Sequence, residues 1–163
     1  VANVPQPVVV NRHLRNVLLR EAITAYDHAL AAAPGDANAL RLKASALVLL
    51  ASAEPTGRQR HLADAQRIYD DLVRRIPSDP AVQFERGRVL ELRGDPAADA
   101  AYRRAYELDP GLTAALEGRV RLARADDRPE DALAILEAAH AAHPDDGVVG
   151  DLLVRARQEQ ASG

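Results

Sequence analysis

Apolar and polar positions follow a helical period along this chain, and one short pattern recurs four times. A small residue is followed four positions later by a ring or a leucine, three later by another apolar residue, and five later by proline. Ala98, Tyr102, Ala105 and Pro110 fit it. So do Ala22, Tyr26, Ala29 and Pro34, and Ala65, Tyr69, Leu72 and Pro77. Ala132, Leu136, Ala139 and Pro144 repeat it with leucine in the ring position. Steps of four and three keep these side chains on one helical stripe. Alanine on the stripe lets a second helix approach closely, and the ring fills the gap beside it. Proline ends the helix, because it lacks the N–H and clashes with the preceding turn. Successive prolines of the pattern lie 43, 33 and 34 residues apart. A near-constant step of this size predicts stacked helix pairs.

Taken in order, the pattern predicts an extended arm over 1–10, where Pro5, Pro7 and the run Val8-Val9-Val10 disfavour helix. Asn11 is a good cap for one long helix over 12–33, with Leu14, Leu18, Leu19, Ala22, Tyr26, Ala29 and Ala33 as its apolar stripe. Pro34-Gly35-Asp36 is a turn into a helix over 38–52. Residues 54–60, with Pro55 and Gly57, read as a loop that accounts for the 43-residue step. Helices follow over 61–76 and from Ser78-Asp79-Pro80 to Gly94, then from Asp95-Pro96 to Asp109-Pro110. Thr113 opens the next, Asp126-Asp127-Arg128-Pro129 is a turn, and Asp145-Asp146-Gly147 leads into the last helix, with 158–163 frayed. The domain layout is then an arm over 1–10 and a helical domain over 11–163. That domain holds a partial first repeat (11–36), a repeat with an inserted loop at about 53–60 (37–79), repeats over 80–112 and 113–146, and a capping helix over 147–160.

These residues and their spacing resemble the tetratricopeptide repeat. The second-helix half of the motif is present four times. In the first-helix half, the tryptophan slot holds Leu40, Gln83 and Leu116, and the glycine slot Ala44, Gly87 and Val120. The resemblance implies an all-α, right-handed superhelical solenoid of antiparallel helix pairs, about seven or eight helices in all.

Composition narrows the function. Hydrophobic residues make up 47% of the chain but aromatics only 3%, so alanine and leucine do most of the packing, which favours close-packed helices. A net charge of −3 argues against a nucleic-acid binder. No cysteine is present, which excludes disulfides and thiolate chemistry and leaves cytoplasm and periplasm both open. No apolar run reaches the ~20 residues of a membrane helix. Residue 1 is not methionine, which reads as a processed protein or an excised fragment. Lysine occurs once, at Lys43, against 20 arginines, which reads as base composition of the genome.

Chemistry is sparse. His140 and His143 share a helix turn, but no third ligand is placed by a motif, so no metal and no cofactor are expected. Asp126-Asp127 and Asp145-Asp146 are turn and cap residues. No phosphate loop or nucleophile elbow occurs, so no catalytic residue is assigned and the segment reads as non-enzymatic.

Surface remains. In this family the first helix of each pair lines a concave groove, and the resemblance implies the same role here for Asn38, Arg41, Ser45 and Leu49, for Phe84, Arg88 and Glu91, and for Glu117, Arg121 and Arg124. Arginine forks bind carboxylates, and Phe84 offers an apolar anchor. The expected partner is a protein or peptide with acidic residues or a free C-terminus. The opposing expectation is that the arginines pair with Glu85, Glu91 and Glu117 as a solvated network. Three alternatives to a groove-binding scaffold stand beside it: a non-catalytic domain of a larger enzyme, a part of an envelope or cofactor-assembly protein, and a self-association module.

Overall fold

Each proline of the recurring pattern stops its helix two residues early. The computed structural model describes residues 12–162. In it α1 (Arg12–Ala32) ends before Pro34, α3 (Arg58–Arg75) before Pro77, α5 (Ala98–Leu108) before Pro110, and α7 (Pro129–Ala142) before Pro144. The residue preceding a proline is itself disfavoured in the helical region, so the turn begins there. Between these helices lie α2 (Ala37–Ala53), α4 (Pro80–Arg93) and α6 (Thr113–Ala125), and α8 (Gly147–Ser162) follows α7. Among the described residues there is no strand. The arm over 1–10 and the Asn11 cap lie outside them.

Aspartates start three of the four first-type helices, those that open a helix pair (α2, α4, α6 and α8), the second type being α1, α3, α5 and α7. Asp36 Oδ1 accepts from the backbone N–H groups of Asn38 and Ala39, at 2.9 and 3.0 Å. Asp79 does the same for Ala81 and Val82, and Asp146 for Val148 and Val149. These bonds satisfy donors that have no partner within the helix. In α6 the equivalent position is Leu112, which makes no such bond.

Residues 53–60 depart from the expected loop. α2 continues to Ala53, a 3-10 turn spans Pro55–Gly57, and α3 begins at Arg58. The extra residues of the 43-residue step lengthen the two helices, to 17 and 18 residues, against 14 and 11 in the α4–α5 pair. Residues 37–53 contain neither glycine nor proline, so nothing stops the helix sooner.

The chain falls into two compact units, residues 1–68 and 69–163. In the first, α1 packs on α2. α2 buries Ala39, Ala44, Ala46, Leu47, Val48, Leu50, Ala51 and Ala53. In the second, α4, α5, α6, α7 and α8 each pack on the next. Their shared core joins Tyr102, Ala105, Leu116, Val120, Leu136, Ala139, Val149 and Leu153.

The recurring stripe is buried in three of its four copies. Ala65, Tyr69 and Leu72 are at most 1% exposed, Ala98, Tyr102 and Ala105 are fully buried, and Ala132, Leu136 and Ala139 are at most 5% exposed. In α1, Ala22 and Tyr26 are only partly buried and Ala29 is exposed. Leu14 and Leu18, expected on an inward stripe, are 53% and 55% exposed. The stripe is apolar, but α2 covers only part of it, at Ala22 and Tyr26.

Close packing around Tyr102 depends on two glycines. A Cβ on Gly87 of α4 would stand 2.7 Å from the Tyr102 ring, and one on Gly118 of α6 would stand 2.8 Å from its other edge. The ring is therefore clasped by two bare backbones, one from the helix before and one from the helix after.

Each junction between a second-type helix and the next first-type helix carries an acid–base pair between the bodies of the two helices. Asp27 pairs with Lys43 at 2.5 Å, Asp70 with Arg86 at 2.6 Å, Asp99 with Arg119 at 2.8 Å and Glu137 with Arg157 at 2.9 Å. In these four the acid lies on the earlier helix, whereas Arg20 of α1 reaches Glu54 at the end of α2 with the opposite polarity. Such partly exposed pairs contribute little stability each, of order 0.2–1 kcal/mol. Their recurrence with one polarity suits a role in setting the register of neighbouring helices.

Candidate interaction surface

Three first-type helices of the second unit are tied to one another by side chains. α4 and α6 are in contact, and Arg121 of α6 donates two bonds to Glu91 of α4, at 2.7 and 2.8 Å. The phenol of Tyr102 donates to the same carboxylate at 2.5 Å. Arg124 of α6 reaches Glu159 of α8 at 2.6 Å. The three helices thus present a continuous wall of side chains.

The electrostatics follow from that geometry. The hydrogen bonds from Arg121 and then from Tyr102 hold the Glu91 carboxyl below its ordinary range, although partial burial opposes them. The Tyr102 phenol is pushed well above its ordinary value, by burial first and by the bond to Glu91 second. The Arg121 guanidinium is held even more firmly protonated, chiefly by its bond to Glu91.

Between α6 and α8 lies a hollow of about 370 Å³, lined by Glu117, Val120, Arg121, Arg124, Leu136, Leu152, Arg155 and Glu159. Its floor is apolar and its rim charged. Arg155 and Glu117 make no ion pair among the described residues, whereas Arg121 and Arg124 are paired. A larger hollow of about 600 Å³ lies beside the α4–α5 and α6–α7 turns. Its arginines are already engaged: Arg119 with Asp99, and Arg128 with both Asp126 and Asp131. Charges so compensated leave less to recognise a ligand, and the smaller hollow is the better candidate.

The sequence-derived set is thus split. Glu117, Arg121 and Arg124 gather round one hollow. Glu91 holds Arg121 from α4. Arg88 is exposed but pairs with Glu85 on its own helix, at 3.0 Å. Phe84 is half-buried, packed on the core with its ring centroid 5.7 Å from that of Tyr102, so it supports the wall more than it offers a free anchor. Asn38, Ser45 and Leu49 lie on α2, as does the partly buried Arg41, all in the other unit. The opposing expectation of an ion network holds for Arg88 with Glu85 and for Arg121 with Glu91, and not for Glu117. Sequence reasoning missed Arg155 and Leu152, which lie on the helix assigned only to capping, and Gly118, which sits outside the usual glycine slot. His143 meets Tyr106 edge-on, with ring centroids 6.4 Å apart. Among the described residues no helix is long and apolar enough to cross a membrane.

Comparison with known proteins gives three findings. The tetratricopeptide repeat family model matches residues 57–113. A curated protein of Komagataeibacter xylinus, cellulose synthase 2 operon protein C, is 36% identical over 103 residues. That match takes in 61% of this chain but 8% of the relative, so the chain spans a small part of its length. The crystal structure of a thermophilic TPR protein of Thermus thermophilus superposes with a TM-score of 0.65 at 23% identity, covering 89% of this chain and 74% of that one. This last likeness shows the fold: helix pairs in series, as the periodic stripe requires.

Proposed function

The chain carries tetratricopeptide repeats, and from that premise we propose that it is a non-enzymatic scaffold whose α4–α6–α8 wall receives a segment of another protein. The segment is extended or helical and carries acidic residues or a free C-terminus. The observation that supports this reading is the α6–α8 hollow: an apolar floor of Val120, Leu136 and Leu152, with the guanidinium of Arg155, unpaired among the described residues, on its rim. A volume of about 370 Å³ is at the lower end of ligand-sized sites, enough for one or two side chains. The cross-helix bonds of Glu91, Arg121 and Arg124 pre-set the wall, so little ordering of the receptor opposes binding.

The test is selection of peptides with free C-termini from a displayed library against the chain. Acidic peptides are expected, and Arg155→Glu should weaken them about tenfold, the equivalent of about 1.4 kcal/mol. Arg88→Glu, at the outer edge of the wall, should weaken them less, and both variants should keep wild-type helical content by circular dichroism. Selection that depends neither on acidic residues nor on the free C-terminal carboxylate, or binding indifferent to Arg155→Glu, would overturn the assignment.

A second reading draws on the relative named for a cellulose synthase operon. On it, the segment is the non-catalytic repeat region of a longer envelope-assembly protein. Sequencing the complete reading frame checks it: a long further repeat array or a membrane anchor supports it, and a frame confined to these residues removes it.

A further inference from the structure

The α6–α8 junction repeats the α4–α6 junction with its polar lock taken apart. Counted from the proline before each first-type helix, Glu91 and Arg124 stand fourteen residues on, and Arg121 and Arg155 eleven. Tyr102 and Leu136 share one slot of the second-type helix between, eight residues before the next proline. Between α4 and α6 the three slots close on one carboxylate: Glu91 accepts from the Tyr102 hydroxyl at 2.5 Å and from Arg121 at 2.7 and 2.8 Å. Between α6 and α8 the same slots hold Arg124, Leu136 and Arg155, so a guanidinium stands where the carboxylate was and an alkyl group where the phenol was. Arg124 reaches Glu159 instead, at 2.6 Å, and Arg155 has no counterpart to the Glu91 carboxylate.

A fourth slot changes too. Phe84 of α4, which packs against the Tyr102 ring, is matched in α6 by Glu117, seven residues after the proline in each case. In place of a filled junction there is the hollow of about 370 Å³, with the exposed Glu117 carboxylate on its rim. The pairs Arg121–Glu91 and Arg124–Glu159 cancel. What remains on the rim is one uncompensated charge of each sign, Glu117 on α6 and Arg155 on α8.

Building on the scaffold function proposed for this wall, we infer that the hollow takes an amphoteric segment of another protein. A large apolar side chain of that segment rests on Val120, Leu136 and Leu152. On one side of it a side-chain carboxylate is bound by Arg155, in the role that Glu91 plays for Arg121. On the other side a lysine or arginine is bound by Glu117. A segment bearing acids alone binds less well, because one of its charges meets Glu117.

Other occupants match these charges less closely. Residues 1–10 carry no charged side chain. Helices of the series pack on their chain neighbours, so a helix following α8 would extend the array at α8 itself, where Val148 and Val154 are exposed and lie outside the lining of the hollow. In a free amino acid the ammonium and carboxylate lie within about 3 Å of each other, whereas Glu117 and Arg155 stand on separate helices.

The probes are capped, labelled peptides in which a central leucine is flanked by lysine and glutamate in either order, by two glutamates or by two glutamines. Each is titrated with the full chain by fluorescence polarisation. One order of the lysine–glutamate peptide should bind most tightly, about threefold better than the glutamate pair. Glu117→Lys should reverse that ranking and Glu117→Gln should level it, with helical content unchanged because the position is exposed. Arg155→Glu should weaken every peptide that carries glutamate about tenfold. Binding that follows Arg155 but is indifferent to Glu117→Lys would overturn this inference and leave the acid-binding scaffold standing, whereas indifference to Arg155→Glu would remove both. No binding of any probe, equal binding of the glutamine pair, or displacement by free leucine would also overturn it. So would a dimer of the chain that Arg155→Glu dissociates, since a second copy would then be the occupant.

Discussion

α1 and α5 carry the same stripe and meet opposite fates. Tyr102 of α5 is fully buried between Gly87 and Gly118, and its hydroxyl is bound by Glu91. Tyr26 of α1 has α2 on one side and, among the described residues, nothing in the place of α4. A helix of this type is therefore only a half-surface: the motif specifies what it can bury, and the flanking first-type helices decide whether it does. Most helical stability in proteins comes from packing of an apolar face and not from local propensity. The two stripes should consequently differ in what they contribute, although their sequences are alike.

The largest way to break the contrast is to deny Tyr102 its glycines. Gly87→Leu should destabilise the second unit by about 3 kcal/mol or more in urea unfolding, because the nearest atoms are a buried ring that cannot move. Gly118→Ala should cost about 1–3 kcal/mol for the same reason on the other edge. Neither would be expected if the ring had free space.

A smaller effect tests the polar lock. Since Glu91 has a folded pKa below its unfolded one, its contribution is present at neutral pH and is lost as pH falls through the lowered folded value. Glu91→Gln should cost about 1 kcal/mol at pH 7, discounted for the exposure of Arg121, and should flatten the acid limb of the stability profile. An unchanged acid limb would show that the bond network adds nothing.

The smallest expected effect is at a turn. Gly94 ends α4 at φ 70°, and 33 residues later Asp127 takes a similar left-handed conformation at φ 57°. Asp127→Gly should raise stability by about 0.5–1 kcal/mol by relieving that strain, partly offset by the greater freedom of glycine when unfolded. A loss of stability would mean that the Asp127 side chain matters more than its backbone.

How far the sequence could be read depended on whether a feature was local. Helix ends were legible because proline acts on its own turn, and Asp36 and Asp79 were legible as caps because their partners lie two and three residues away. The burial of Tyr69 and Tyr102 followed from the repeated stripe. The same reasoning failed for Leu14 and Leu18, since periodicity marks an apolar face without showing what covers it. It failed at 54–60, where Pro55 and Gly57 suggested a long loop but little more than a single 3-10 turn separates α2 from α3. In the candidate site, Arg121 and Arg124 were legible from their place on α6. Their partners, 30 and 35 residues away, were not, nor was Arg155, because only packing of successive helices brings them together. Tyr106, the one tyrosine outside the stripe pattern, is buried where α5 meets the later helices; burial, and then the charge of Asp146, raise its pKa.

The account's central claim, that flanking helices and not the motif itself determine burial, is tested most directly by urea unfolding of Tyr102→Ala and Tyr26→Ala side by side. A loss of about 3–5 kcal/mol for Tyr102→Ala is expected, as for a large ring removed from a closed core, against about 1 kcal/mol for Tyr26→Ala. Equal losses at the two positions would contradict it.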